Sequence, residues 1–131
     1  PVHDRINYIL GSSTAPETVE RVKSMIPEGA TVMAVLDSAH SKEHVLNELR
    51  IYSELVTSGQ YLIAEDTNIN GRPVYRDHGP GPGEAVDQFL TETDEYTVDK
   101  SREKYLLTFN PAGSCCATKF SGLRGRSESR P

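Results

Sequence analysis

Tyr61-Leu62-Ile63-Ala64-Glu65-Asp66-Thr67-Asn68 decides how the chain folds. Four consecutive apolar residues predict a short strand buried on both faces, and the two acids and polar turn after them mark where the chain leaves the core. The acids stand at the carboxyl end of that strand, the edge at which open α/β sheets bind ligands. Thr31-Val32-Met33-Ala34-Val35-Leu36 has the same form and ends on Asp37-Ser38-Ala39-His40. As parallel neighbours, the two strands would bring Asp37, Glu65 and Asp66 to one sheet edge. Three clustered carboxylates repel one another unless a cation or shared protons compensate, which points to a hard divalent ion such as Mg²⁺. Taken singly, each acid reads equally well as a helix cap or a solvated turn residue. The pairing of two strand ends is what favours a metal.

Working outward, Ile6-Asn7-Tyr8-Ile9-Leu10 predicts a further strand that ends at Gly11-Ser12-Ser13. Thr14-Ala15-Pro16-Glu17 then opens a helix, with Thr14 as cap, Glu17 reaching back to it and Pro16 in the first turn, where a missing N–H does no harm. Val19, Val22 and Ile26 share one helical face. Ser41 caps a second, longer helix striped by Val45, Leu49, Tyr52 and Val56 and closed by Gly59. The resulting βαβαβ alternation predicts a parallel sheet of the Rossmann-like α/β class. Beyond Asn68, the prolines of Gly79-Pro80-Gly81-Pro82-Gly83 remove the N–H groups a phosphate cradle needs, so this loop reads as a semi-rigid wall over the acidic edge. Glu84 to Leu90 predicts a short helix, and 96–98 with 104–109 an antiparallel strand pair. Residues 1–112 form one domain in this reading, and 113–131 a disordered basic tail.

The formal net charge of the 131 residues is −5. From Ala117 onward the balance is +3, leaving −8 for the body. An acidic body argues against nucleic acid as partner, because neutralising phosphates takes clustered Lys and Arg. No apolar run approaches the ~20 residues of a membrane span, so a cytoplasmic protein is the default expectation. Cys115-Cys116 lack the spacing of a zinc site, and cytosolic cysteines are rarely paired.

Several stretches together carry a resemblance: Gly11-Ser12-Ser13-Thr14-Ala15-Pro16-Glu17, Val35-Leu36-Asp37-Ser38-Ala39-His40, His44-Val45-Leu46-Asn47-Glu48-Leu49, Tyr61 through Gly71, Gly79-Pro80-Gly81-Pro82 and Arg102 through Pro111. Over about Asp4 to Gly113 the chain resembles the cephalosporin hydroxylase / rhamnosyl O-methyltransferase family, class I S-adenosylmethionine-dependent methyltransferases with a Mg²⁺ site. The resemblance implies Asp37, Glu65 and Asp66 as metal ligands and Ser12 and Ser13, beside Gly11, as the turn facing the adenine side of the cofactor. It also implies His40 as base, at the position where similar catechol-type enzymes carry Lys. An imidazole can accept a hydroxyl proton at neutral pH.

In that family the Gly-rich loop holding the methionine end of the cofactor, and the acid that binds its ribose, precede the equivalent of Asp4. The chain therefore resembles the C-terminal part of such an enzyme, with two expectations open. One is a metal-assisted O-methyltransferase acting on a hydroxyl of a sugar or other small molecule. The other is a non-catalytic remnant that binds the intact cofactor poorly. Hydroxylation is disfavoured, because no two-His-one-carboxylate spacing for iron is evident. Association with further copies of the chain is left open.

Overall fold

The computed structural model describes residues 2–103 and 108–118. Its sheet is built from β1 (Ala34–Leu36), β2 (Tyr61–Ala64), β3 (Tyr96–Val98) and β4 (Ser114–Ala117), in the order β1-β2-β4-β3. β1 and β2 are parallel, pairing Ala34 with Leu62 and Leu36 with Ala64. β4 runs antiparallel to both of its neighbours, placing Leu62 opposite Cys115 and Tyr96 opposite Ala117. The helices are α1 (Pro16–Met25), α2 (Lys42–Ser53) and α3 (Pro82–Glu92), with a short 3₁₀ turn at Lys100–Arg102.

Because side chains alternate across a strand, the register puts Leu36, Leu62, Ala64, Cys115, Ala117 and Tyr96 on one face. That face is the core. Val45, Leu46 and Leu49 of α2 and Ala85, Val86 and Phe89 of α3 pack on it, together with Val56. Tyr61 and Ile63, on the other face of β2, are only half-buried. The expectation of a strand buried on both faces is corrected: α2 and α3 join a single core on one face. The caps obey local chemistry in part. The Ser41 hydroxyl accepts the His44 N–H at 3.4 Å, as the sequence predicts. Thr14 does not cap α1; the cap is Ala15, and the Thr14 hydroxyl bonds that of Ser12 at 3.2 Å. α3 starts earlier than predicted because Pro82, with φ already fixed, suits the first helical position. The Glu84 carboxylate accepts the Gly81 N–H at 2.8 Å to close that end.

Three further expectations change. Residues 6–10 join no ladder of the sheet, and Ile6 and Tyr8 are 46% and 65% exposed. An apolar run makes a strand only where a neighbouring strand pairs with its backbone, and here β1 is the sheet's edge. Of 31–36, only 34–36 pairs with β2. Val32 turns instead to the segment after α2, its N–H donating to the Thr57 hydroxyl at 2.9 Å and its carbonyl accepting the Thr57 N–H at 3.1 Å.

The third change is the domain boundary at 112. Residues 114–117, read as the start of a disordered tail, are β4 and fill the sheet between β2 and β3. Cys115 and Ala117 are almost wholly buried there. β3 has its antiparallel partner, but that partner is β4. The predicted strand at 104–109 lies mostly outside the described residues, as does the tail from 119 onward.

Candidate metal and cofactor edge

Parallel pairing of β1 and β2 carries Asp37 and Glu65-Asp66 to the same sheet edge. The ladder runs one residue past β2, with the Glu65 N–H donating to the Leu36 carbonyl at 3.0 Å. The chain then turns sharply. Asp66 takes a left-handed backbone (φ 53°), and its N–H donates to Asn110 Oδ1 at 2.8 Å. Thr67 donates its hydroxyl proton to the Pro111 carbonyl at 2.7 Å, and the Asn68 N–H bonds the Phe109 carbonyl at 3.3 Å. The segment leading into β4 thus fixes the turn that aims Asp66.

His40, in the turn after β1, enters the same place. Its Nε2 lies 3.0 Å from Asp66 Oδ2 and 3.4 Å from Asp37 Oδ1. The ion-pair distance to Asp66 does not make a hydrogen bond: Nε2 is shielded from solvent and has no hydrogen-bond partner of acceptable direction. Asp37, His40 and Asp66 each offer a ligand atom, and these atoms lie within 4.8 Å of one another. Glu65 stands at the same strand end but outside this group. The grouping therefore differs from the Asp37, Glu65, Asp66 set implied by the resemblance, with His40 in the place of Glu65. The side chains of Asp37 and Asp66 are 57% and 42% exposed, leaving room for a further ligand.

The loop between β2 and α3 lies against this edge. Pro80 accepts the Lys42 N–H at 3.0 Å, and a Cβ on Gly81 would sit 3.4 Å from the His40 carbonyl. Side chains hold the loop to α3: Asn70 donates to Glu84 at 3.0 Å and Arg72 pairs with Asp87 at 2.6 Å. Burial alone would raise the Glu84 carboxyl. The N–H of Gly81 and the amide of Asn70 outweigh it and hold the group below the usual carboxylate range.

Gly11, Ser12 and Ser13 stand at the start of the turn into α1. Ser13 bonds His44 Nε2 at 3.1 Å through its hydroxyl and accepts the Tyr52 hydroxyl at 2.8 Å through its carbonyl. This turn is therefore tied to α2, and so is the Asp37 turn, because Ser38 donates to Glu48 at 2.8 Å. Two contributors escape the sequence reading. Asn110 gives no signal, since an Asn before Pro reads as an ordinary turn. Glu48 does give one: it sits within the apolar stripe, three residues after Val45, where a carboxylate is out of place.

Among the described residues, no helix is long and apolar enough to cross a membrane. A rhamnosyl O-methyltransferase of Mycobacterium tuberculosis is 40% identical to the chain over 111 residues, covering 81% of the chain and 44% of that protein. One from Mycobacterium leprae is 41% identical over 103 residues, covering 76% of the chain and 44% of its own length. The chain thus spans less than half the length of the curated relatives it matches. No solved structure matches it. A family model described as Rhamnosyl O-methyltransferase/CmcI matches residues 1–116. With that match over nearly the whole chain, an α/β sheet whose parallel strands end in paired acids, and relatives of the same description, the chain belongs to the rhamnosyl O-methyltransferase/CmcI family.

Proposed function

We propose that the protein carrying this segment transfers a methyl group from S-adenosylmethionine to a hydroxyl of a sugar or other small molecule, with a divalent cation, Mg²⁺ in the first instance, at the acidic strand ends. The observation that carries the reading is the convergence of Asp37, His40 and Asp66 at the edge of β1 and β2. The residues fit such an ion. A buried imidazole nitrogen without a hydrogen bond stands beside two carboxylates. Its separations of 3.0 and 3.4 Å from them approach the roughly 3 Å between adjacent ligands of an octahedral ion with ~2.1 Å bonds.

Asp37 and Asp66 would hold the ion, with Glu65 available beside them. Bound there, a divalent cation orients the acceptor hydroxyl and lowers its pKa. Where it is not itself a ligand of the ion, His40 is the side chain placed to take the hydroxyl proton at Nε2. The Gly11-Ser12-Ser13 turn faces the methyl donor, and the loop anchored on α3 forms a wall of the acceptor side. The short distances to Asp37 and Asp66 favour a second use of His40, as a third ligand of the ion. Imidazole suits borderline metals such as Fe²⁺ or Zn²⁺ better than it suits Mg²⁺, so this use would shift the preference away from Mg²⁺.

The test is turnover of a full-length protein carrying this segment, measured in chelator and after metal is restored. Metal dependence, lost together with turnover in Asp37→Asn, supports the reading; full activity in chelator contradicts it. His40→Ala separates the two uses of the imidazole. A base leaves metal affinity intact while turnover falls, whereas a ligand weakens both.

A further inference from the structure

Asp66 is held by a side chain where its neighbours are held by backbone. The N–H groups of Ala64, Asp66 and Asn68 all turn toward the segment 109–113. Ala64 donates to the Gly113 carbonyl at 2.9 Å and Asn68 to the Phe109 carbonyl at 3.3 Å. Between them, Asp66 donates to Asn110 Oδ1 at 2.8 Å. Asn110 is itself pinned, its N–H on the Thr108 hydroxyl at 3.1 Å and its carbonyl on the Gly113 N–H at 3.0 Å. The bond to Asp66 matters because that residue has a left-handed backbone, with φ 53°. An aspartate enters this region at a cost and leaves it when nothing opposes the return. A change of φ carries the carboxylate with it, and here Asp66 Oδ2 stands 3.0 Å from His40 Nε2.

We propose that Asn110 is a positioning residue of the cation site: by accepting the Asp66 N–H it holds the left-handed turn that keeps Asp66 Oδ2 among the ligand atoms of Asp37 and His40. The inference rests on the cation reading of this edge and adds to it a residue that touches neither the ion nor the acceptor. An amide suits the task. Its oxygen receives the N–H without adding a further negative charge to an edge that already carries Asp37, Glu65 and Asp66. The coupling is also reciprocal. If the turn at 110–113 favours the arrangement that binds the ion, the ion favours that turn by the same factor. Metal binding therefore reaches from the ends of β1 and β2 into the start of β4.

The experiment uses a full-length protein carrying this segment and reads bound Mn²⁺ by electron paramagnetic resonance, with urea denaturation alongside. Asn110→Ala removes the acceptor and is expected to weaken Mn²⁺ binding roughly 10–100-fold, the loss typical when a partner that orients a metal ligand is removed. Val56→Ala, a truncation in the core cluster, is the comparison. It should lower the urea midpoint and leave Mn²⁺ affinity unchanged, which separates the aiming of Asp66 from mere loss of stability. Wild type supplies a measurement that needs no variant to fold. Mg²⁺ should slow hydrogen exchange at the Gly113 amide, which bonds the Asn110 carbonyl and no ligand of the ion. Unchanged Mn²⁺ affinity in Asn110→Ala, an equal loss in Val56→Ala, or Gly113 exchange indifferent to Mg²⁺ overturns the proposal. The cation reading survives each of these results, because wild type still binds the ion. If wild type binds no Mn²⁺, that reading fails and the proposal falls with it.

Discussion

Gly113→Ala is the perturbation that most sharply probes how the acidic edge is held. A Cβ at this position would lie 2.2 Å from the Ala64 carbonyl oxygen, the last backbone acceptor of β2. A backbone carbonyl within a ladder cannot swing aside as a side chain does, so β4 and β2 must separate. The same separation strains the bond from the Ala64 N–H to the Gly113 carbonyl, at 2.9 Å, and that from the Gly113 N–H to Asn110, at 3.0 Å. Overpacking costs typically ~1–3 kcal/mol, and a clash with fixed backbone belongs at the upper end. A loss of about 3 kcal/mol shifts the folded-to-unfolded ratio by roughly 150-fold, a large share of the ~5–15 kcal/mol a domain possesses.

Gly29→Ala is the control. Gly29 has open space around it but a φ of +73°. Its replacement therefore pays only for a left-handed backbone, about 1 kcal/mol. Urea denaturation followed by circular dichroism measures both, with the slope checked for constancy so that the midpoints report stability. Gly113→Ala should be clearly the less stable variant. If it unfolds at the wild-type midpoint, or no earlier than Gly29→Ala, β4 does not lie against β2 and the account of how Asp66 is aimed fails with it.

The titrating groups give two more expected outcomes. Burial pushes the Cys115 thiol up to about 11, while Cys116 is only partly buried. Under native conditions at pH 8, one thiol should therefore react with an alkylating reagent well before the other, and both should react in denaturant, as counted by mass spectrometry. Because Cys115 is harder to ionise when folded, its contribution to stability is whole below the unfolded value near ~8.5 and declines as pH rises towards about 11. On the acid side, hydrogen bonds from Arg50, at 2.8 and 2.6 Å, and then from Gln88 hold Glu92 down to about 2. The stability it contributes is present above the usual carboxylate range and is lost as pH falls towards about 2. Glu92→Gln should therefore flatten the fall of the urea midpoint between pH 5 and 3, an outcome absent if the Arg50 clamp between α2 and α3 does not form.

The parallel pair at the centre of the fold was legible because its signal is local: an apolar run, then an acid, twice, with a Ser-capped amphipathic helix between. That pattern placed Asp37, Glu65 and Asp66 at one edge before any contact was known. It did not show that His40, rather than Glu65, closes on the other two, because that depends on how the turn after Leu36 folds back over a single residue's reach. Residues 6–10 misled for the opposite reason. Their composition is that of a strand, but a strand exists only with a partner, and pairing is not written in the run itself. β4 was missed because Ser114-Cys115-Cys116-Ala117 is short, small and preceded by Pro and Gly. Nothing in its composition outweighs the disorder signal of the Gly-, Ser- and Arg-rich residues after it. Only its register against Leu62 and Tyr96 makes it a strand.

A cation site at Asp37 and Asp66 is tested most directly by titrating the chain with Mn²⁺, a paramagnetic stand-in for Mg²⁺. The amide signals of Asp37, His40 and Asp66 should broaden first and together, and Mg²⁺ should compete the effect away. Asp37→Asn should shift the titration to at least about tenfold higher metal, the loss expected when a carboxylate ligand is removed. Broadening spread evenly over the acidic surface, or an Asp37→Asn titration superimposable on wild type, would show these acids to be ordinary turn residues.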